Sequence, residues 1–182
     1  MFRITADAPP TLPAQVLDGP LLRGVRIEHR IAFLNDMAYY EADSGTEIFV
    51  EDEPGDTLWV VLRGVVSLTR RTAADELLEV DRAHPGEPFG EMSVISPAPR
   101  SATAVTVGDC DLLSLQRVRF RALLQERNPA AEAMLRYITL RMCRRLRQVD
   151  GRIALVHDLQ RGASKGELAQ RVTALNLLSV YS

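Results

Sequence analysis

The sequence predicts an α+β fold, a compact antiparallel roll or barrel between helical ends, and three observations carry that prediction. Short runs rich in Val, Ile, Leu and Thr recur between Met37 and Leu115, punctuated by Gly and Pro, as in many short antiparallel strands. After Leu115 that pattern stops and apolar residues recur at steps of three and four. Breakers crowd the first twenty positions, where Pro9, Pro10, Pro13, Gly19 and Pro20 stand. The expected organisation is an irregular segment and helix over 1–36, the roll with a short following helix over 37–127, and a long hinge or dimerisation helix with a terminal amphipathic helix over 128–182.

Taken in order, the first twenty residues predict irregular chain with one short helix before Gly19. Leu22, Val25, Ile27, Ile31 and Leu34 follow at helical spacing and predict a helix over 21–34. Strands are expected at 47–50, 58–62, 65–69, 77–80, 102–106 and 111–115. Arg63-Gly64 reads as a tight hairpin and Pro54-Gly55-Asp56 as a second turn. Phe120, Leu123 and Leu124 mark a short helix ending near Asn128, which then caps a longer helix opened by Pro129. Along it, Leu135, Ile138, Met142, Leu146, Val149, Ile153 and Val156 are separated by 3, 4, 4, 3, 4 and 3 residues. Such a near-heptad seam pairs with its own copy, so a homodimer is expected; packing of the seam on the roll is the alternative. Gly162 ends that helix, and the capping box Ser164-Lys165-Gly166-Glu167 opens a last amphipathic helix.

Composition excludes several classes. The 182 residues suit one well-buried core, and no apolar run approaches the roughly 20 residues of a membrane helix. The N-terminus lacks the apolar stretch of a secretory signal, which predicts a cytoplasmic protein. Cys110 and Cys143 stand alone, against disulfide frameworks, zinc sites and iron–sulfur clusters, and each is expected to be a buried small hydrophobe. His29, His84 and His157 are scattered and expected at the surface, and Trp59 in the core. With no nucleophile elbow, paired catalytic carboxylates or P-loop, the sequence predicts neither an enzyme nor a bound metal or cofactor. The net charge of −2 hides an asymmetry, with 9 basic and 19 acidic residues over 1–115 against 13 basic and 5 acidic over 116–182. The basic half reads either as a nucleic-acid footprint or as a solvated helix surface; the spread of Arg136, Arg141, Arg144, Arg145 and Arg147 around a helix favours the second.

The stretch from Pro85 to Thr103 holds the chemistry. Gly90 can take positive φ, Glu91 follows it, a short apolar run allows a helical turn or two, and Arg100 lies beside the Ser101 hydroxyl. A helix starting near Glu91 points free N–H groups at an anion, and Arg100 grips the same anion through two parallel charge-assisted bonds. A carboxylate there repels a phosphate, but it suits a neighbouring sugar hydroxyl whose hydrogen bond it accepts.

Phe89-Gly90-Glu91-Met92 with Pro99-Arg100-Ser101-Ala102-Thr103 resembles the phosphate-binding cassette of the cyclic-nucleotide-binding domain family. Residues 55–66 look like that family's early hairpin, and 119–129 like its first C-terminal helix and the start of its hinge helix, so the likeness covers roughly 37–156. The step from Glu91 to Arg100 is similar to that of protein kinase A regulatory subunits, and Met142-Cys143-Arg144-Arg145-Leu146 to the long helix of the bacterial catabolite activator protein. The resemblance implies a β-roll that binds cyclic AMP or cyclic GMP, the former preferred, and that signals to a protein partner through its C-terminal helices. It implies that Gly90 shapes the turn, Glu91 takes the ribose 2′-hydroxyl, Arg100 takes the exocyclic phosphate oxygens and Ser101 adds a hydroxyl. It also implies that backbone N–H groups of Met92, Ser93 and Ala102 complete the cradle. Two departures matter. Val149 and Asp150 stand where the catabolite activator has a base-contacting Thr-Ser pair, which leaves the base open. Some 26 residues follow Val156, against roughly 60 for a winged helix, so specific DNA binding is not expected. The alternative function is a ligand-free roll serving as a constitutive interaction module.

Overall fold

A computed structural model describes residues 2–5, 11–161 and 166. Its elements are β1 (Phe2–Thr5), α1 (Ala14–Leu17), a 3-10 turn (Pro20–Leu22), α2 (Ile27–Asn35), β2 (Ala38–Ala42), β3 (Glu47–Phe49), β4 (Thr57–Arg71), β5 (Leu77–Ala83), β6 (Pro88–Phe89), α3 (Met92–Ile95), β7 (Thr103–Gln116), α4 (Arg117–Gln125) and α5 (Pro129–Gln160). The chain divides into two compact units, 1–137 and 138–182.

The first unit is an antiparallel β-roll with helices. Its sheet runs β1-β2-β7-β4-β5, with β3 paired to β7 and β6 to β4. β4 and β7 form the spine, paired from Thr57 opposite Gln116 to Thr69 opposite Thr103. Alternation sends Trp59, Val61, Val66 and Leu68 of β4 to one face, where they join Phe49, Phe89, Ala102, Ala104, Cys110 and Leu112 in a single buried cluster. Leu58, Val60 and Leu62 are buried as well, so both faces of this stretch of β4 are covered. Arg30 of α2 ties down the N-terminal segment, donating from Nε to Val25 O at 2.6 Å and from Nη1 to Leu17 O at 2.6 Å.

Several sequence expectations change here. Gly64 does not turn a hairpin, since 58–62 and 65–69 belong to one strand, β4. Its φ of +85° serves a bulge, marked by register shifts on both sides of Arg63, and a Cβ there would lie 2.5 Å from Asp109 O and Cys110 Sγ. The runs 102–106 and 111–115 are likewise one strand, β7. The turn expected at 54–56 falls at 51–53, where Asp52 has φ +68°, and Pro54 instead bridges Pro99. The helix expected over 21–34 is interrupted at Gly24, with φ +83°, and resumes as α2, whose buried residues are Phe33 and Leu34 and not Ile27 or Ile31. β1, read as irregular chain, pairs with β2 from Phe2 opposite Ala42 to Thr5 opposite Tyr39.

Other expectations hold. The short helix before Gly19 is α1. Asn128 caps α5, its Oδ1 accepting from the N–H of Ala130 at 2.9 Å and of Ala131 at 3.2 Å. Trp59 is buried beside Phe89 and Tyr40, and His29, His84 and His157 are exposed. Cys110 is buried, but Cys143 is exposed on α5, contrary to expectation.

In the second unit, Leu146, Val149, Ile153 and Val156 are exposed on α5, whereas Ile138 is buried. The expected capping box and last helix lie outside the described residues, apart from Gly166. Among the described residues no helix is long and apolar enough to cross a membrane, and no cluster of His, Cys, Asp or Glu is arranged to hold a metal ion.

Candidate functional site

Gly90 ends the short β6 arm with φ +66°, and a Cβ there would meet Arg100 Nη1 at 2.8 Å and the Phe49 ring at 3.0 Å. Backbone conformation and space therefore both demand glycine. Glu91 follows, and its carbonyl accepts the N–H groups of Val94 and Ile95 at 3.1 Å each. α3 is one turn long, so the N–H groups of Met92 and Ser93 precede its internal ladder.

Arg100 is held in place by its main chain, whose N–H donates to Glu53 O at 2.9 Å while its carbonyl accepts from Asp52 N at 2.9 Å. Its side chain turns inward and only 6% of the residue is exposed. Nη1 donates to Thr57 O at 2.8 Å, Gly90 O at 2.9 Å and Ser93 Oγ at 2.8 Å. Ser93 Oγ donates in turn to Gly90 O at 3.0 Å. The guanidinium carbon lies 4.1 Å from the centroid of the Phe49 ring, a cation–π contact. Nε is buried and unpaired among the described residues. Gly55 lies against it, since a Cβ at Gly55 would stand 2.7 Å from Nε and 2.7 Å from Ser93 Oγ.

Burial lowers the Arg100 pKa; the carboxylates of Glu53, Asp56 and Glu91 oppose the shift, and Arg117 adds to it. Its hydrogen-bond acceptors are all neutral and no carboxylate forms a contact ion pair with it among the described residues, so an anion at the guanidinium would be stabilised. Nη1 is taken by the protein, which leaves the Nε–Nη2 edge, buried against Gly55 at Nε, without a protein acceptor among the described residues.

The other cassette residues divide by exposure. Glu91 is half-buried, Met92 exposed and Ser93 buried. Ser101 is exposed, its Oγ 3.6 Å from Met92 Sδ, and Ala102 is buried. Ser93, expected to offer its N–H, also supports Arg100 through its hydroxyl. Sequence reasoning missed Phe49, Gly55, Thr57 and Arg117. Arg117 donates from Nη2 to Gly55 O and from its backbone N–H to Asp56 O at 2.6 Å, and its Nε is buried and unpaired among the described residues. Two guanidinium groups thus flank the Gly55 segment. A separate cavity of about 480 Å³, lined in part by Tyr39, Arg63, Gly64 and Asp111, contains no cassette residue. Its Arg63 is already paired with Asp111 through bonds of 2.7 and 3.1 Å.

Residues 41–127 match the family described as the cyclic nucleotide-binding domain. The chain is 29% identical over 136 residues to the CRP-like cAMP-activated global transcriptional regulator of Mycobacterium tuberculosis, a match covering 74% of this chain and 58% of that protein. It therefore spans little more than half the length of that curated relative. A crystal structure of the N-terminal domain of a transcriptional regulator from Streptomyces coelicolor is 30% identical, with TM-score 0.62 over 76% of this chain and 94% of that one. The Thermus thermophilus catabolite activator protein is 25% identical, with TM-score 0.66 over 89% of each chain. The matched segment contains the whole Arg100 cluster, from Phe49 to Arg117, and the chain belongs to the cyclic-nucleotide-binding domain family.

Proposed function

We propose that the cassette from Gly90 to Thr103 binds a cyclic mononucleotide, cyclic AMP in preference to cyclic GMP. In this reading the chain is a sensor and not a catalyst, and it works as a homodimer that passes the state of its pocket through the C-terminal helices to a protein partner. The observation that carries the reading is the Arg100 guanidinium, buried in the cassette with its Nε lacking an acceptor among the described residues. A phosphate oxygen at the Nε–Nη2 edge supplies that acceptor and neutralises the charge. Glu91, half-buried beside the glycine turn, takes the ribose 2′-hydroxyl. The N–H groups of Met92, Ser93 and Ala102 and the Ser101 hydroxyl fill the remaining positions. The preference for cyclic AMP draws on the cAMP-activated relative.

A second reading is favoured by a specific observation. Nη1 of Arg100 is engaged by Thr57 O, Gly90 O and Ser93 Oγ, which is also what a purely structural clamp in a ligand-free interaction module would show.

Mass spectrometry of denatured protein and calorimetric titration with both nucleotides separate the two. Binding should fall by about thirty-fold to several-thousand-fold in Arg100→Ala, the roughly 2–5 kcal/mol of a lost partner to a partly buried charge. Arg100→Lys should recover little, because an ammonium has no planar fork. Glu91→Ala should shrink the penalty for a 2′-deoxy nucleotide. No heat from the wild type leaves the ligand-free module as the function, and equal binding by wild type and Arg100→Ala removes Arg100 from the nucleotide site.

A further inference from the structure

The segment Gly55-Asp56-Thr57 separates two arginines. On one side, Thr57 O accepts from Arg100 Nη1 at 2.8 Å and the Gly55 Cα lies against Arg100 Nε. On the other, Gly55 O accepts from Arg117 Nη2, and Asp56 O accepts from the Arg117 N–H at 2.6 Å. Arg117 opens α4, directly after β7. Its side-chain and main-chain donors therefore fix two successive carbonyls of the strip on which Arg100 rests.

We infer that Arg117 is a positioning residue for the anion site, acting on the ligand through Gly55 and Arg100 without touching it. This rests on the cyclic-nucleotide reading above. Without the Arg117 side chain, Gly55 O loses its charged donor and only the Arg117 N–H on Asp56 O is left to hold the strip, so the Gly55 peptide plane can rotate. Thr57 O then no longer holds Nη1 at a fixed angle, and the Nε–Nη2 edge loses its aim. A planar, two-bond contact is sensitive to such a rotation in a way that a point charge is not. The two guanidinium groups also repel each other across Gly55, and a bound phosphate relieves that repulsion.

The test is a double-mutant cycle on the full chain with cyclic AMP as probe. Arg117→Gln should weaken binding roughly ten-fold, the scale of one charge-assisted hydrogen bond. In an Arg100→Gln background, titrated by NMR at millimolar ligand, the same substitution should change affinity by less than about two-fold, because no guanidinium remains to be aimed. Thermal unfolding of each variant checks the fold. Should Arg117→Gln fail to fold, Arg117→Lys carries the same cycle with a smaller expected loss, a few-fold, since an ammonium also donates to Gly55 O. Wild-type affinity in both Arg117 variants overturns the inference, as does a penalty that persists undiminished without Arg100. Those outcomes leave the cyclic-nucleotide reading standing; absence of binding by the wild type removes both.

Discussion

Gly55 has neither a side chain nor a left-handed backbone, yet a single methyl there would strike the centre of the site. The atoms it would meet are Arg100 Nε and Ser93 Oγ at 2.7 Å and Arg100 Cδ at 2.9 Å. None is a free end: Nη1 holds three acceptors, and Ser93 Oγ is bonded to Gly90 O. Gly55→Ala should therefore cost about 1–3 kcal/mol in urea unfolding, the usual range for overpacking, and lower cyclic AMP affinity by about ten-fold or more in calorimetry. Wild-type affinity in Gly55→Ala would show that the inward clamp does not set the aim of Arg100. Gly90, Glu91 and Arg100 stand out as candidates in the sequence because their types suit the chemistry and they sit within one short stretch. Thr57 and Gly55 were not. Thr57 contributes a backbone carbonyl, which every residue has, and Gly55 contributes an absence of atoms, which reads locally as a turn.

At the scale of elements, β4 and β7 show why a breaker does not always break. Gly64 and Gly108 have nearly the same backbone, φ +85° and +80°, but a Cβ at Gly64 would lie 2.5 Å from Asp109 O and Cys110 Sγ, whereas nothing lies within 4 Å of one at Gly108. Gly108→Ala should thus cost only the left-handed penalty, about 1–2 kcal/mol. Gly64→Ala adds a steric collision with main chain and should cost about 2–4 kcal/mol, both read from urea midpoints. Equal losses would mean that the close approach of β7 plays no part in the choice of glycine at 64. The strand content was legible from the period of apolar residues, but the continuity was not. A sequence shows that glycine permits positive φ; whether that φ closes a hairpin or accommodates a bulge depends on the partner strand, here β7, which lies some forty residues downstream in the chain.

At the scale of the whole molecule, the remaining feature is the apolar stripe of α5. Leu146, Val149, Ile153 and Val156 recur at steps of 3, 4 and 3 and are 63, 42, 63 and 53% exposed. Helices in proteins are stabilised mainly by packing an amphipathic face, so a stripe of this kind calls for a partner surface, and a second copy of the same helix supplies one of matching period. The spacing was legible from sequence, but not which seam residues the chain itself buries. Ile138 is buried and Leu135 and Met142 are half-buried, so the surface left for a partner begins near Leu146. We expect a homodimer, with Val149→Arg combined with Ile153→Arg giving monomers whose cyclic AMP affinity stays within a few-fold of wild type. Sedimentation velocity at micromolar protein measures the first and calorimetry the second. Each copy of the helix would bring two cations into an apolar seam, a desolvation cost of several kcal/mol per ion that a modest interface cannot absorb. A wild-type monomer at those concentrations would remove the dimer, and α5 would then need a different protein surface against its stripe.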